Sequence, residues 1–391
     1  MSDELRATTA IDAPRVPVLE VADLAVEFAT RTGSVRVVEE VAFSVQPGEI
    51  VGLVGESGSG KTVTMMSVLR LVPPPGRIAA GRITVDGVDV RSLTREQMRA
   101  LRGSTVALIP PDATAALNPV VKVGDQVMEG VRSHRPSASE EDARKLALEM
   151  FRRVGLPRPE QRLRRYPHEL SGGMQQRVLI ASALQMEPKL ILADEPTTAL
   201  DVTIQAQILR LLLAVRDEFG TAILFVTHDL AAVAEVCDRV LVMYSGRLVE
   251  SAPVGDLFGQ PLHPYTRALM ASIPPLSAEP PDRLQTVAGA PPEPGSWPAG
   301  CRFAPRCGLR DELGGPEVCT TLQPPLVEFR PNHRAACHFA GSAAGVAAAE
   351  ALAATVGVAE ATVVDVPSAV AEATVVDVPG VADAAIPEER P

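Results

Sequence analysis

Hydrophobic positions along this chain follow two alternating rhythms. After Leu19 they recur at every second residue: Leu24-Ala25-Val26-Glu27-Phe28, Val35-Arg36-Val37-Val38 and Val41-Ala42-Phe43-Ser44-Val45 read as strands with one buried face. Pro47-Gly48 then turns the chain into Glu49-Ile50-Val51-Gly52-Leu53-Val54, an apolar run of the kind buried on both faces. Residues 63–71 read as a helix, and Gly81-Arg82-Ile83-Thr84-Val85-Asp86-Gly87 as a further strand. Residues 92–186 turn largely helical, with a break at Pro110-Pro111. The clearest helix there takes Ser139 as its N-cap, with Asp142 three residues on. Ala143, Leu146, Ala147, Met150, Phe151 and Val154 then repeat at helical spacing, and Gly155 ends it. Apolar strands return at residues 190–193, 222–226 and 240–243. Between the first two lies a helix with Ile204, Ile208, Leu211, Leu212 and Val215 inward, stopped by Gly220. Strands alternating with helices predict an α/β fold with a mostly parallel sheet covered on both faces.

Composition changes this picture mainly at the ends. A chain of 391 residues exceeds one compact domain. After Gly259, prolines crowd residues 261–298 and four of the five cysteines fall between 301 and 337. A second, small domain is therefore predicted over 261–340, after an α/β domain over 18–260. Residues 1–17 are polar with two prolines and read as a flexible arm. Residues 341–391 are rich in Ala, Val, Pro and Glu and read as a disordered tail. A net charge of −11 with only 3% aromatics argues against nucleic acid as a partner. No run of 18 strongly apolar residues predicts a membrane span, and the first residues lack the basic and apolar regions of a secretion signal. The chain is expected to stay in the cytoplasm, where cysteines serve as thiols or metal ligands rather than disulfides.

The chemistry concentrates in a few strings. Gly55-Glu56-Ser57-Gly58-Ser59-Gly60-Lys61-Thr62 sits between a predicted strand and a predicted helix, the setting a phosphate-binding loop requires. Its glycines let successive N–H groups turn inward toward phosphate oxygens, and the helix N-terminus adds positive potential. Lys61 would reach the β- and γ-phosphates, and the Thr62 hydroxyl would hold Mg²⁺. The strand at 190–193 ends in Asp194-Glu195. Asp194 is the second expected Mg²⁺ ligand, and Glu195 the general base that polarises the attacking water. Leu170-Ser171-Gly172-Gly173-Met174-Gln175-Gln176-Arg177 is the most specific string of all.

With these strings in view, residues 19–340 resemble the ABC-type ATPases. The resemblance implies a P-loop ABC ATPase domain: a parallel sheet core, an antiparallel β subdomain and a helical subdomain at about 92–186. A small cysteine-containing C-terminal domain follows it. Ser171, Gly172, Gly173 and Gln175 match the signature motif, which meets the ATP bound to an opposite subunit. His228, in Phe225-Val226-Thr227-His228-Asp229, matches the switch histidine, and Ala199-Leu200-Asp201 the loop between the two sites. Phe28 falls where an aromatic stacks on adenine, and Val63 follows the loop's threonine. One position departs from the family: Pro111 stands where a glutamine is expected to touch Mg²⁺ and link the site to the membrane subunit. Proline offers neither an amide side chain nor a backbone N–H, so reduced hydrolysis with retained binding is expected.

Pro261-Leu262-His263-Pro264-Tyr265-Thr266-Arg267, Leu117-Asn118-Pro119 and Gly300-Cys301-Arg302-Phe303-Ala304-Pro305-Arg306-Cys307 resemble the dipeptide/oligopeptide and nickel importers within that family. Cys301, Cys307, Cys319 and Cys337 are separated by 5, 11 and 17 residues, which is no standard zinc-finger or ferredoxin spacing. Residue chemistry alone leaves zinc and iron–sulfur both open. The resemblance favours a [4Fe–4S] cluster with a structural role; Zn²⁺ is the alternative, with His333 or His338 replacing a thiolate. Cys237 lies in an apolar helical pattern and reads as packing. The implied partners are a second ATPase subunit forming a heterodimer, two transmembrane permeases and an extracytoplasmic peptide-binding protein. The implied location is the cytoplasmic face of the cell membrane. The same machinery importing nickel or another small solute is the alternative. A soluble ABC ATPase acting on DNA or the ribosome fits the acidity and the scarce aromatics less well.

Overall fold

The computed structural model describes residues 16–31, 33–198, 200–272, 287 and 289–342, all within one compact unit. Apart from two residues each, the expected N-terminal arm and C-terminal tail lie outside the described residues.

Two sheets form the frame. The first is antiparallel, with strands β1 (Leu19–Thr30), β2 (Gly33–Val45), β4 (Gly76–Val85) and β5 (Val88–Asp89) in the order β2-β1-β4-β5. The second contains β3 (Ile50–Val54), β6 (Val106–Ile109), β7 (Leu190–Asp194), β8 (Ala222–Thr227), β9 (Arg239–Tyr244), β10 (Arg247–Pro253), β11 (Val327–Arg330) and β12 (His333–Ala335). Their order is β11-β12-β10-β9-β3-β8-β7-β6. From β9 to β6 the pairing is parallel; β10, β12 and β11 continue it antiparallel.

Every residue of β3, β7 and β8 is buried, which requires helices on both faces. In chain order the helices up to residue 271 are α1 (Lys61–Val68), α2 (Arg95–Leu101), α3 (Ala113–Ala116), α4 (Val123–His134), α5 (Glu140–Arg153), α6 (Pro159–Arg162), α7 (Gly172–Leu184), α8 (Val202–Phe219), α9 (Leu230–Val236), α10 (Val254–Gly259) and α11 (Pro264–Ala271). Local chemistry sets their ends. The Ser139 hydroxyl accepts from Asp142 N–H at 3.1 Å, and the Asp142 carboxylate accepts from Ser139 in return, closing a capping box on α5. Asp201 accepts from Ile204 N–H at 2.9 Å to start α8, and Gly220 ends it at φ 63°. Helices α4, α5 and α7 pack on one another, with Val127, Ala147, Met150 and Val178 between them.

Register then fixes where function can sit. Val54 pairs with Thr227, and Asp194 with Val226, so β3, β7 and β8 end side by side. Their C-terminal loops emerge together, the usual ligand position in an open parallel sheet.

Three details differ from the sequence pattern. Residues 35–38 and 41–45 belong to one strand, β2, rather than two. Residues 106–109, inside the stretch read as helical, form β6 and pair with β7. Tyr265, Met270 and Phe303 are buried in the same core as β8 and α9, so described residues after 261 share the core of the preceding sheet. The prolines and turns of that region leave too few apolar residues to close a core of its own. A buried carboxylate ties it down instead. Glu250 of β10 accepts from Leu262 N–H at 2.7 Å, His263 N–H at 2.9 Å and His333 Nε2 at 2.7 Å, and both Glu250 and His333 are 0% exposed.

Candidate functional site

The loop leaving β3 adopts a backbone that side chains would prevent. Gly55, Gly58 and Gly60 have φ of 154°, 78° and 105°. A Cβ on Gly55 would stand 2.1 Å from the Met243 carbonyl oxygen, so the loop passes against β9 with no room for a side chain. Lys61, at the start of α1, is only 6% exposed and donates to the carbonyls of Gly55 at 2.8 Å and Glu56 at 3.0 Å. Burial lowers its pKa, while Glu195, Asp194 and Glu56 oppose that shift. The Ser59 hydroxyl is buried with no hydrogen-bond partner, a polar group within the loop awaiting one. Val63 packs sideways into the core under the antiparallel sheet.

Thr62 and Asp194 meet across the loop, Oγ1 donating to Oδ1 at 3.3 Å. Burial pushes the Asp194 carboxyl up against the Thr62 hydrogen bond, and Glu195 adds to the rise. A divalent cation between hydroxyl and carboxylate would offset the desolvation that the lone carboxylate bears. Glu195 sits at φ 44°, in the left-handed region that non-glycine residues rarely adopt. Its N–H donates to Val226 O at 2.8 Å, which fixes that backbone. One carboxylate oxygen accepts from Thr198 Oγ1 at 2.9 Å; the other lies 3.1 Å from His228 Nδ1. Burial works against the charged form of Glu195, but the His228 and Thr198 hydrogen bonds prevail and hold its pKa below the ordinary value. An ionised, oriented carboxylate is what general-base chemistry on water needs. Sequence reasoning missed Thr198; its hydroxyl three residues after Glu195 was the available signal.

Ser171 N-caps α7, accepting from Met174 N–H at 3.4 Å, and Ser171 and Gly172 are exposed while Gly173 is buried against Ile204. Gln175 turns inward rather than toward that open face. Its amide donates to the Pro167 and Leu170 carbonyls at 2.8 and 3.2 Å and accepts from Thr114 Oγ1 at 2.8 Å. Asp201 caps α8 as described; of its loop, Ala199 lies outside the described residues. Phe28, half-buried on β1, pairs with Val35 and Gly76, and its ring edge stands 2.8 Å from a Cβ placed on Gly76. Pro111 is exposed just past β6, and the neighbouring Asp112 is committed to capping α3, accepting from Thr114 and Ala115 N–H at 2.8 and 3.1 Å.

The C-terminal cysteines converge. Cys301, Cys307, Cys319 and Cys337 line one small cavity with His263, His338, Phe303 and Phe339. Cys307 Sγ accepts from Arg310 N–H and Cys337 Sγ from Phe339 N–H, both at 3.4 Å, and Cys301 accepts from the Phe303 backbone. Burial raises all four thiol pKa values, to about 12 for Cys301 and about 11 for Cys337. Among the described residues, no three His, Cys, Asp or Glu side chains close on a single-ion site. That geometry supports neither the expected [4Fe–4S] cluster nor the zinc alternative. His333 is held by Glu250 away from the cavity, whereas His338 lines the cavity with its Nε2 bonded to the Leu322 carbonyl at 2.8 Å. Cys237 is buried beside Gly52 in the core.

A phosphate loop at the end of a parallel strand, with Thr62, Asp194 and Glu195 converging on it, defines a P-loop ATPase of the ATP-binding-cassette class. Comparison with known proteins agrees. Residues 38–198 match the ABC transporter family, and residues 249–312 match the C-terminal region of the oligopeptide/dipeptide transporter family. The probable peptide ABC transporter ATP-binding protein y4tR of Sinorhizobium fredii is 48% identical over 320 residues, 82% of this chain and 94% of that protein. The oligopeptide transport ATP-binding protein OppD of Mycobacterium tuberculosis is 46% identical over 322 residues, which are 82% of this chain but 52% of OppD. Among solved structures, the dimeric post-hydrolysis state of the cassette MJ0796 bound to ADP and Pi aligns with a TM-score of 0.55 at 26% identity, covering 60% of this chain and 98% of that one. The structure of cbiO1 from Clostridium perfringens aligns at 0.54 and 27%, covering 62% and 90%. The chain belongs to the ATP-binding subunits of ABC transporters; it is an ATPase. No helix among the described residues is long and apolar enough to cross a membrane.

Proposed function

We propose that this chain drives import of di- and oligopeptides by hydrolysing ATP on the cytoplasmic face of the cell membrane. The observation that carries this reading is the match of residues 249–312 to the C-terminal region of oligopeptide/dipeptide transporters, joined to the phosphate loop, the Asp194-Glu195 strand end, the signature string and His228. The machine comprises a second ATPase subunit of different sequence, two permeases and an extracytoplasmic peptide-binding protein.

Within it, the loop from Gly55 to Thr62 binds the phosphates and Lys61 engages their terminal groups. Thr62 and Asp194 hold Mg²⁺. Glu195 takes the proton of the attacking water, oriented by Thr198 and by His228, whose ring is exposed enough to touch the γ-phosphate. Phe28 and Val63 complete this chain's nucleotide site on the adenine side and beneath the loop. The exposed Ser171 and Gly172, with Gly173 behind them, meet ATP held by the partner ATPase, and Asp201 lies between the two sites. Gln175 supports the signature from inside by tying it to Thr114, just past the Pro111 bend. The four cysteines ligate a [4Fe–4S] cluster, which would cross-link a region that has little core of its own.

The test is reconstitution. Vesicles carrying this chain, its partner ATPase and the permeases should take up labelled peptide in an ATP- and binding-protein-dependent way. Uptake of nickel with no peptide uptake would overturn the cargo. Chemical analysis of anaerobically purified protein should find about four irons and four acid-labile sulfides per chain, and zinc without iron would overturn the cluster.

A further inference from the structure

The phosphate loop is gripped from outside by residues that follow the ATPase strands. Glu56, the second residue of the loop, makes three kinds of contact. Its N–H donates to the Tyr265 hydroxyl at 2.7 Å, and its carbonyl accepts from Lys61 at 3.0 Å. Its carboxylate receives a two-pronged guanidinium from Arg306, at 2.8 and 3.0 Å. Arg306 is itself anchored, donating to Tyr244 Oη at 3.2 Å and to the Val287 and Gly289 carbonyls at 3.1 Å each. Tyr265, Tyr244 and Phe303 pack in tilted and edge-to-face contacts as one aromatic cluster beneath. The far end of the loop is held by the same segment through an intermediate. Gly246 N–H donates to Ser59 O at 2.8 Å, and Arg302 donates to the carbonyl of the adjacent Ser245 while lying 3.4 Å over the Trp297 ring. Arg302 and Arg306 both lie between Cys301 and Cys307.

A carboxylate inside a phosphate loop is an electrostatic liability, because it repels the polyphosphate the loop must hold. A bidentate guanidinium removes that liability, and the Tyr265 contact fixes which way the Glu56 peptide faces. We propose that Arg306 and Tyr265 are positioning residues of the nucleotide site: Arg306 neutralises the loop's own Glu56, and Tyr265 locks its peptide, so that the loop is shaped for phosphate before nucleotide arrives. The proposal rests on Gly55–Thr62 being this chain's phosphate site. Burial works against the charged form of Arg306, but Glu56 and Tyr244 sustain it; burial keeps the Tyr265 hydroxyl neutral and able to accept.

The experiment measures binding of MgATP to the purified full-length chain, and KM and kcat in the assembled transporter. Arg306→Ala should weaken binding about tenfold and raise KM with kcat nearly unchanged, the effect of losing one charge-assisted pair. Arg306→Lys should fall between, since it keeps the charge and loses the fork. Tyr265→Phe should cost about threefold. Glu56→Gln should bind at least as tightly as the unaltered chain, and in the Arg306→Ala background should restore affinity to within about threefold. A purely structural role for Arg306 predicts no such rescue. The proposal is overturned if Arg306→Ala melts lower yet binds within about twofold of the unaltered chain, or if Glu56→Gln rescues nothing. Should Arg306→Ala fail to fold, the near-isosteric Glu56→Gln and Tyr265→Phe decide the matter: weaker binding in the first, or none of the expected loss in the second, overturns it. Lys61→Ala separates the two layers. If it binds nucleotide normally, the assignment of the loop has failed, not the clamp alone.

Discussion

Glu250 offers the most direct test of how the C-terminal region is attached. Three donors converge on its two oxygens: Leu262 N–H and His333 Nε2 on one, His263 N–H on the other. All are buried, so none can turn to water. In Glu250→Gln the amide has one oxygen. If that oxygen keeps Leu262 and His333, the new NH₂ faces the His263 N–H, donor against donor. The stranded donor costs about 1–3 kcal/mol. Glu250→Ala strands all three and leaves a cavity, and about 3–5 kcal/mol is expected, as for breaking a buried charged pair. Thermal melting should register the Ala variant as a fall of roughly 5–10 °C. Hydrogen exchange should localise the damage, with the Leu262 and His263 amides losing protection first, before those of β3, β7 and β8. The Gln variant should lie between. A Gln variant that melts with the unaltered protein and keeps both amides protected would refute the reasoning, since it would mean the three donors find other partners.

Four further outcomes follow from the site. Glu195→Gln should retain ATP binding and lose hydrolysis by about 10²–10⁴-fold in the assembled complex, read as phosphate release against nucleotide affinity. Thr198→Ala removes one of the two hydrogen bonds that hold the Glu195 carboxyl below its ordinary pKa, so that pKa rises. The base must be ionised; activity is lost as pH falls through its pKa, so the acid limb of the pH–rate profile should move to higher pH, and an unmoved limb would remove Glu195 as the base. Gly55→Ala should abolish nucleotide binding, because its Cβ would meet the Met243 carbonyl at 2.1 Å in a backbone with φ of 154°. Pro111→Gln should raise the ATPase rate of the assembled complex; with Asp112 tied to the start of α3, nothing adjacent supplies the missing amide.

What the sequence made legible was local. Glycines at 55, 58 and 60 announce positive φ because they adopt it without the cost a side chain adds, and all three adopt it. The fully apolar runs at β3, β7 and β8 are buried at every position, as such runs must be. The Ser139 and Asp142 pair forms the box its spacing implies. Strand β6 escaped because four apolar residues followed by two prolines carry no period that separates strand from buried helix. Thr198 escaped because a hydroxyl is informative only once the left-handed turn at Glu195 folds it back. Gln175 shows the converse: it belongs to the signature string, yet its amide is engaged inside with Thr114, Pro167 and Leu170.

The deepest omission concerns the region after Gly259. Composition separates it from the ATPase, and prolines and cysteines mark it as a different kind of chain. The structure joins it through pairs no local pattern can announce: Arg306 to Glu56 across 250 positions, Tyr265 to Glu56 across 209, His333 to Glu250 across 83. Each is a buried or half-buried polar contact, and each ends on an ATPase residue whose own surroundings leave it otherwise unpaired. Glu56 would be an uncompensated acid in a phosphate cradle, and Glu250 an uncompensated acid in the core. Glu250 would then bear the cost of an unpaired buried charge, and the partly exposed Glu56 would set like charge beside bound phosphate. These two carboxylates, at positions where an isolated domain gains nothing from them, are therefore the sequence-level signature of the attachment: an acid where burial or bound phosphate forbids one requires a distant cation or donor set, and here the later segment supplies both.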